Sequence, residues 1–458
     1  MPLYREDNFL VVHPGSEHTL FSFGLQDSLS PPEYKIPSVV YQNPVSKEYS
    51  AKKPEDSIEE LSEIHPIKGS KIVDFEAFKY LLKTVLHSII ASNPIITINQ
   101  IPLLLVIPSV SWSRLQLESI TKYVIESLEF SAFNVLDLSI AANFGIGNGT
   151  NSLVVNLGKD ATQVSAIVNC QNIKFASKFL DVGSELINQE LAKLLPNFTA
   201  TQIEALKTSN IFEVVVNDDE SFYSRSDLKQ PVDDNFDVAK IVVEGENGVG
   251  KTEEESETTL PNQQLEKNTF TDPETSEKVV VGKERFQGTE KLVGILSKTI
   301  YNVLEQIPDL ERKQECYNNL IFVGSTFKIP GFKDALLTKL HEDVLIRTPS
   351  QQAANEASGI NSAIAAYQQA EEVAEPTEGE FVIAQVPTAL RTAKYPEYFP
   401  EWKKPKELGG SWENVFFLGG QIYAKQIFGG NSNINGEFFV DSTVYSESGP
   451  QAIWNAAI

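Results

Sequence analysis

Leu153-Val-Val-Asn-Leu-Gly-Lys-Asp-Ala-Thr-Gln-Val-Ser-Ala-Ile-Val168 is the stretch on which the reading of the fold depends. Leu153–Val155 is an apolar strand that stops at a glycine-containing turn, Asn156–Asp160, and Val164–Val168 supplies its antiparallel partner. Two such runs joined by a short turn predict a β-hairpin. Upstream, Phe9–Val12 is another short apolar run, ended by His13-Pro-Gly-Ser16. Asp74 can cap a helix that carries Phe75, Phe78, Leu81, Leu82, Val85, Leu86 and Ile89 at helical spacing. Leu103–Ile107 reads as a buried strand stopped by Pro108. Ser111 or Ser113 opens a helix with Leu117, Ile120, Val124, Ile125 and Leu128 on one side. Downstream, Asp181 is expected to cap a helix bearing Leu186, Ile187, Leu191, Leu194 and Leu195. A helix over about 289–306, a strand Leu320–Val323, the turn Gly324–Gly331 and a helix from Phe332 follow. Near the end, Val415–Leu418 reads as a strand, followed by Gly419-Gly420 and a helix through Ile422 and Ile427. Strands that alternate with helices indicate an α/β protein.

Its 458 residues suggest about three folding units. The apolar share, 41%, is enough for a sizeable core. The apolar run Leu103–Ile107 is far shorter than the ~20 residues of a membrane span, and the charged start MPLYREDNFL does not read as a signal peptide. Cys170 and Cys316 cannot form a disulfide framework or a metal cluster and are read as reduced core thiols of an intracellular protein. The net charge is −24, which disfavours duplex DNA and anionic membranes as direct partners. Residues 217–278 hold 17 acidic and 6 basic side chains, a net of −11, so nearly half the excess is local. Polar and poor in aromatics apart from Ile241–Val243, this stretch is expected to be a mostly disordered insertion. A second irregular insertion is expected over 348–380.

Gly245-Glu-Asn-Gly-Val-Gly250-Lys251-Thr252 fits the pattern of a phosphate-binding P-loop. A working P-loop opens an amphipathic helix at the Lys-Thr pair. Here Glu253, Glu254, Glu255 and Glu257 follow, with no apolar stripe, so a P-loop NTPase using Lys251 is the weakest reading. Asn148-Gly-Thr150 and Asn197-Phe-Thr199 are read as chance matches to the glycosylation pattern. The five histidines are scattered, and no metal site is expected.

Several segments, in order and across nearly the whole chain, resemble the actin family: His65–Asp74, Pro102–Pro108, Leu153–Val168, Leu180–Leu186, Val281–Phe286, Phe322–Gly331, Leu418–Gln421 and Tyr445–Pro450. The stretch Ala393-Lys-Tyr-Pro-Glu-Tyr-Phe-Pro-Glu-Trp-Lys-Lys404, with the acidic insertion and the Pro-Gly-Ser first loop, is similar to the fungal actin-related protein nine family. That resemblance implies an actin-like fold, with two similar RNase H-like α/β domains around a cleft. Residues 1–146 and 412–458 would form subdomains 1 and 2, and residues 147–411 subdomains 3 and 4.

The resemblance also implies where a nucleotide would lie. Actin-type ATPases hold phosphates between two hairpin turns, with an Asp at each strand end for the metal and a Gln for the attacking water. Here His13 and Asn156 stand at the Asp positions, Glu17 at a small-residue position, Leu20 at that of the phosphate-pairing Lys and Ser139 near that of the Gln. Gly15, Ser16 and Gly158 suit a phosphate turn, and Gly324, Ser325, Thr326 and Lys207 match the adenosine side. Neutral His13 and Asn156 cannot replace two carboxylates at a hard cation. Glu17 would add repulsion of about 4 kcal/mol at ~4 Å, while Lys159 would attract phosphate. The expectation is a degenerate site with no catalytic residue and no cofactor; the alternative is an active actin/Hsp70-like ATPase. The family is nuclear and belongs to the SWI/SNF and RSC chromatin remodellers. There it pairs with actin-related protein seven and binds the long HSA helix of the remodelling ATPase, among other subunits. The helix groove would be walled by Gly145, Ile146, Tyr423 and Phe428, two of which are also plain candidates for core packing.

Overall fold

The computed structural model describes residues 4–25, 29–52, 61–94, 98–147, 149–216, 261–345, 386–405, 410–430 and 438–456. The pattern at Gly245–Thr252 with Lys251, the run Ile241–Val243, Asn148 and the insertion 348–380 lie outside them. By its contacts the chain forms two compact units. The first is Met1–Leu186, Lys291–Lys328 and Leu336–Ile458; the second is Ile187–Glu290 and Ile329–Ala335. The division expected after residue 146 falls inside the first unit.

A six-stranded sheet opens the first unit. Strands β1 (Leu10–Pro14), β2 (His18–Phe23) and β3 (Tyr34–Pro37) form an antiparallel meander. β4 (Pro102–Ile107) lies parallel to β1, β5 (Ala132–Asp137) lies parallel to β4, and Val440–Asp441 closes the far edge. Parallel neighbours need crossovers, here α1 (Phe75–Ser92) and α2 (Arg114–Lys122). As anticipated, Asp74 caps α1, its side chain accepting from the Ala77 N–H at 2.9 Å. Ser113, with Gln116, caps α2. Alternation sorts the strands by face. Leu10, Val12, Leu103, Leu105 and Ile107 pack with α1 and α2, whereas Val11, Leu104 and Val106 face the opposite layer.

That opposite layer contains α3 (Leu138–Ile146) and a second sheet. In the sheet β6 (Ser152–Leu157) pairs antiparallel with β7 (Thr162–Val168) and parallel with β8 (Leu320–Val323). The hairpin read from Leu153–Val168 is therefore present. Val415–Leu418, expected as a strand, is instead the first turn of helix α4 (Val415–Gly429). Every residue from Val415 to Gln421 is buried, so the run shows no polar face, and a short all-apolar run does not distinguish helix from strand. Glycine decides the packing. A Cβ on Gly419 would stand 1.8 Å from the Ala141 carbonyl oxygen, and one on Gly145 2.4 Å from that of Val415. Helices α3 and α4 thus meet backbone to backbone.

Three further expectations are corrected. Asp181 caps no helix: its carboxylate pairs with Lys71 at 2.7 Å, and the next helix, Glu185–Leu194, starts four residues later with Ile187 and Leu191 buried. Cys316 is buried, its thiol pushed up to about 12 by desolvation, but Cys170 is exposed. Within 217–278, residues 217–260 lie outside the description, while 261–278 are ordered in the second unit. Asn268–Thr271 and Lys278–Val281 form a hairpin that buries Phe270 and Val281. Composition missed this because the anchor lies beyond the stretch. Arg285 is fully buried and donates to the carbonyl oxygens of Asn262, Leu265, Glu266 and Gly282. A buried cation is tolerable only when so satisfied.

Candidate functional site

The β1–β2 and β6–β7 turns meet in a cleft of about 250 Å³ inside the first unit. His13, Gly15, Ser16, Glu17, Asn156, Gly158, Gly324 and Ser325 all line it. In the first turn the Gly15 N–H donates to the His18 carbonyl at 3.1 Å. A Cβ at Gly15 would stand 2.6 Å from that oxygen, so the turn needs glycine. Ser16 Oγ accepts from the Ser70 N–H at 3.0 Å. In the second turn the Gly158 N–H donates to the Ala161 carbonyl at 2.9 Å, and Glu185 N–H donates to the Lys159 carbonyl at 2.9 Å.

His13 sits at the end of β1. Its Nδ1 lies 2.8 Å from the Val106 carbonyl oxygen, and its ring meets Phe416 edge-on at 4.6 Å. A carbonyl only accepts, so Nδ1 carries the proton and Nε2 is the bare nitrogen. Burial pushes the imidazole down to about 4, so the ring is neutral at physiological pH.

Two ion pairs line the cleft. Glu17 pairs with Lys159 at 2.9 Å, joining one turn to the other. Its charge therefore does not act alone, which corrects both the repulsion expected of Glu17 and the attraction expected of Lys159. Lys328 pairs with the buried Glu413 at 2.8 Å, and the Gly324 N–H donates to the Glu413 carbonyl at 3.0 Å. Lys35, Ser70, Lys328, Glu413 and Phe416 also line the cleft, and the sequence reading missed them. No local pattern signals partners so far apart in the chain.

Three expected residues do not line the cleft. Ser139 is buried at the start of α3, where its N–H donates to Asp137 Oδ1 at 2.8 Å and its Oγ accepts from Gln163 at 3.3 Å. It does not line the cleft. Thr326 is buried in the short helix Ser325–Lys328. Lys207, in the second unit, is buried against Glu204 at 2.7 Å. The four residues expected to wall a groove are core. Gly145 faces α4, Ile146 is buried, Phe428 is fully buried, and Tyr423 is nearly so, its hydroxyl accepting from Asn134 at 3.2 Å. Buried side chains cannot anchor a partner, so the core-packing alternative holds. Beside them two aromatics reach the surface. Phe144 is 37% exposed and leans edge-on against Tyr423, and Tyr398, 72% exposed, lies close by Gly147.

Comparison with known proteins completes the picture. The family model described as actin matches residues 5–363. The SWI/SNF and RSC complexes subunit arp9 of Schizosaccharomyces pombe is 24% identical, and the match covers 99% of each chain.

Proposed function

The chain belongs to the actin family, and on that premise we propose that it is a non-catalytic structural subunit of a nuclear chromatin-remodelling complex of the SWI/SNF or RSC type. The full-length similarity to the arp9 subunit supports the choice of complex. The Glu17–Lys159 ion pair carries the choice of a non-catalytic role. It spans the two turns between which an actin-type site would hold phosphates, so Lys159, the side chain there that could draw phosphate, is engaged by a carboxylate instead.

The residues present do not fit a magnesium nucleotide. The strand ends offer a neutral imidazole with its proton committed to Val106 and a neutral amide, whereas a hard divalent cation takes carboxylate and water oxygens. The role left is one of shape: pairing with actin-related protein seven and seating the HSA helix. The exposed Phe144 and Tyr398 are the aromatic anchors available near α3, in place of Tyr423 and Phe428. A basic amphipathic helix suits them on a body of net charge −24.

Two measurements test this. The purified chain is expected to hydrolyse no Mg-ATP above background; turnover abolished by Asn156→Ala would overturn the non-catalytic reading. Phe144→Ala with Tyr398→Ala is expected to weaken HSA-helix binding by about 2 kcal/mol or more. Unchanged binding with the fold intact would move the helix to another surface.

A further inference from the structure

One wall of the cleft is carried by β1–β3 and the other by β6–β8. The stretch Arg391–Trp402 lies in the same unit and is attached to both. At one end it is held to β8 by backbone. The Leu320 N–H donates to the Arg391 carbonyl at 3.0 Å, and the Ala393 N–H donates to the Leu320 carbonyl at 2.9 Å. At the other end Trp402, fully buried, donates from Nε1 at 3.2 Å to the carbonyl of Leu29, which lies between β2 and β3. Between these ends three rings pack in series. Tyr395 stacks on Trp412 with centroids 4.6 Å apart and planes 9° from parallel, and Trp402 follows at 6.0 Å from Trp412. Next to Trp412, just ahead of α4, the Glu413 carbonyl accepts from the Gly324 N–H at 3.0 Å, at the cleft itself.

We propose that Arg391–Trp402, together with Trp412, is a built-in clamp that fixes the separation of the two cleft turns, so that closure does not depend on a bound ligand. The Glu17–Lys159 pair also joins the turns, but both ends are partly exposed, and such pairs hold weakly. A buried indole holds more strongly. Withdrawing Trp402 would expose a large apolar surface, break the ring contacts and strand the Leu29 carbonyl. The α3–α4 seam joins the same two layers, and a second attachment removes the freedom to swing about it.

Amide exchange by NMR on the full chain, labelled with 15N at glycine, tests the clamp. Trp402→Phe keeps a ring and removes the N–H; Tyr395→Leu removes the stack. Each is expected to speed exchange at Gly324 roughly tenfold, with Gly294, in the helix Glu290–Leu304, unchanged. Acylation of the Lys159 amine, read by mass spectrometry, should quicken in the same variants as the turns part. Glu397→Gln, an exposed site in the same stretch, should alter none of these rates. Unchanged exchange at Gly324 in both variants overturns the proposal. So does equal acceleration at Gly294, which would make Trp402 and Tyr395 ordinary core. Faster exchange at Gly324 with Lys159 acylation unchanged also overturns it, because the loosening would then be local to Glu413.

Discussion

The cleft and the α3–α4 seam lie in the same unit and are built on opposite terms. At the seam the fit is made by backbone. Gly145 and Gly419 sit where any Cβ meets a carbonyl oxygen at 2.4 Å or less. The turns of the cleft also need glycine, at Gly15 and Gly324, but what joins one turn to the other is the ends of long side chains, Glu17 with Lys159. A seam of this kind admits no other residue without moving a helix, because packed interiors have little slack. Side-chain ends such as Glu17 and Lys159, both partly exposed, can change while the strands beneath them stay in place. A chain can therefore keep a fold while its site turns to other uses.

The sharpest way to break this contrast is at the seam. Gly419→Ala should destabilise the protein by about 3 kcal/mol or more, because α3 and α4 must separate. Gly294, in the helix Glu290–Leu304, has nothing within 4 Å of its would-be Cβ. Gly294→Ala should instead stabilise by about 0.5–1 kcal/mol through helix propensity. Denaturant midpoints read both, and a shift of the same sign in both would undo the argument.

The next effect is a pH dependence. Burial holds His13 at about 4, below the ~6.5 of an unfolded histidine. The unfolded chain binds the extra proton between those values, so this contribution is full above about pH 6.5 and is lost as pH falls toward 4. It amounts to at most about 3 kcal/mol. His18 is shifted the same way, first by burial, so the comparison must isolate His13. His13→Gln, which can still donate to Val106, should flatten the acid loss of melting temperature. An unchanged slope would mean the ring is not the source.

The smallest effect is expected at the ion pair across the cleft. Glu17 and Lys159 are both partly exposed. Glu17→Gln should therefore change stability by no more than about 1 kcal/mol, and less in high salt. A loss as large as that of Gly419→Ala would show the cleft to be as rigid as the seam.

Local chemistry was legible in the sequence. Asp74 before an apolar helical stripe, Ser113 with Gln116 three residues on, and two apolar runs around Asn156–Asp160 each fix structure through neighbours a few residues away. The β6–β7 turn of the cleft was legible for the same reason, whereas the role of the first turn came from the resemblance to the actin family. Only the tertiary structure decided the rest. Val415–Leu418 became a helix because the partner that buries it, α3, lies about 270 residues earlier in the chain. Residues 261–278 became ordered because Arg285, outside the acidic stretch, ties the carbonyls of Asn262, Leu265 and Glu266. Tyr423 and Phe428 became core rather than groove, and Glu17 found Lys159. Caps and periodicities are short-range and recorded in adjacent residues. Burial and ion pairing depend on which distant segments arrive at the same place, and no window of the sequence contains both.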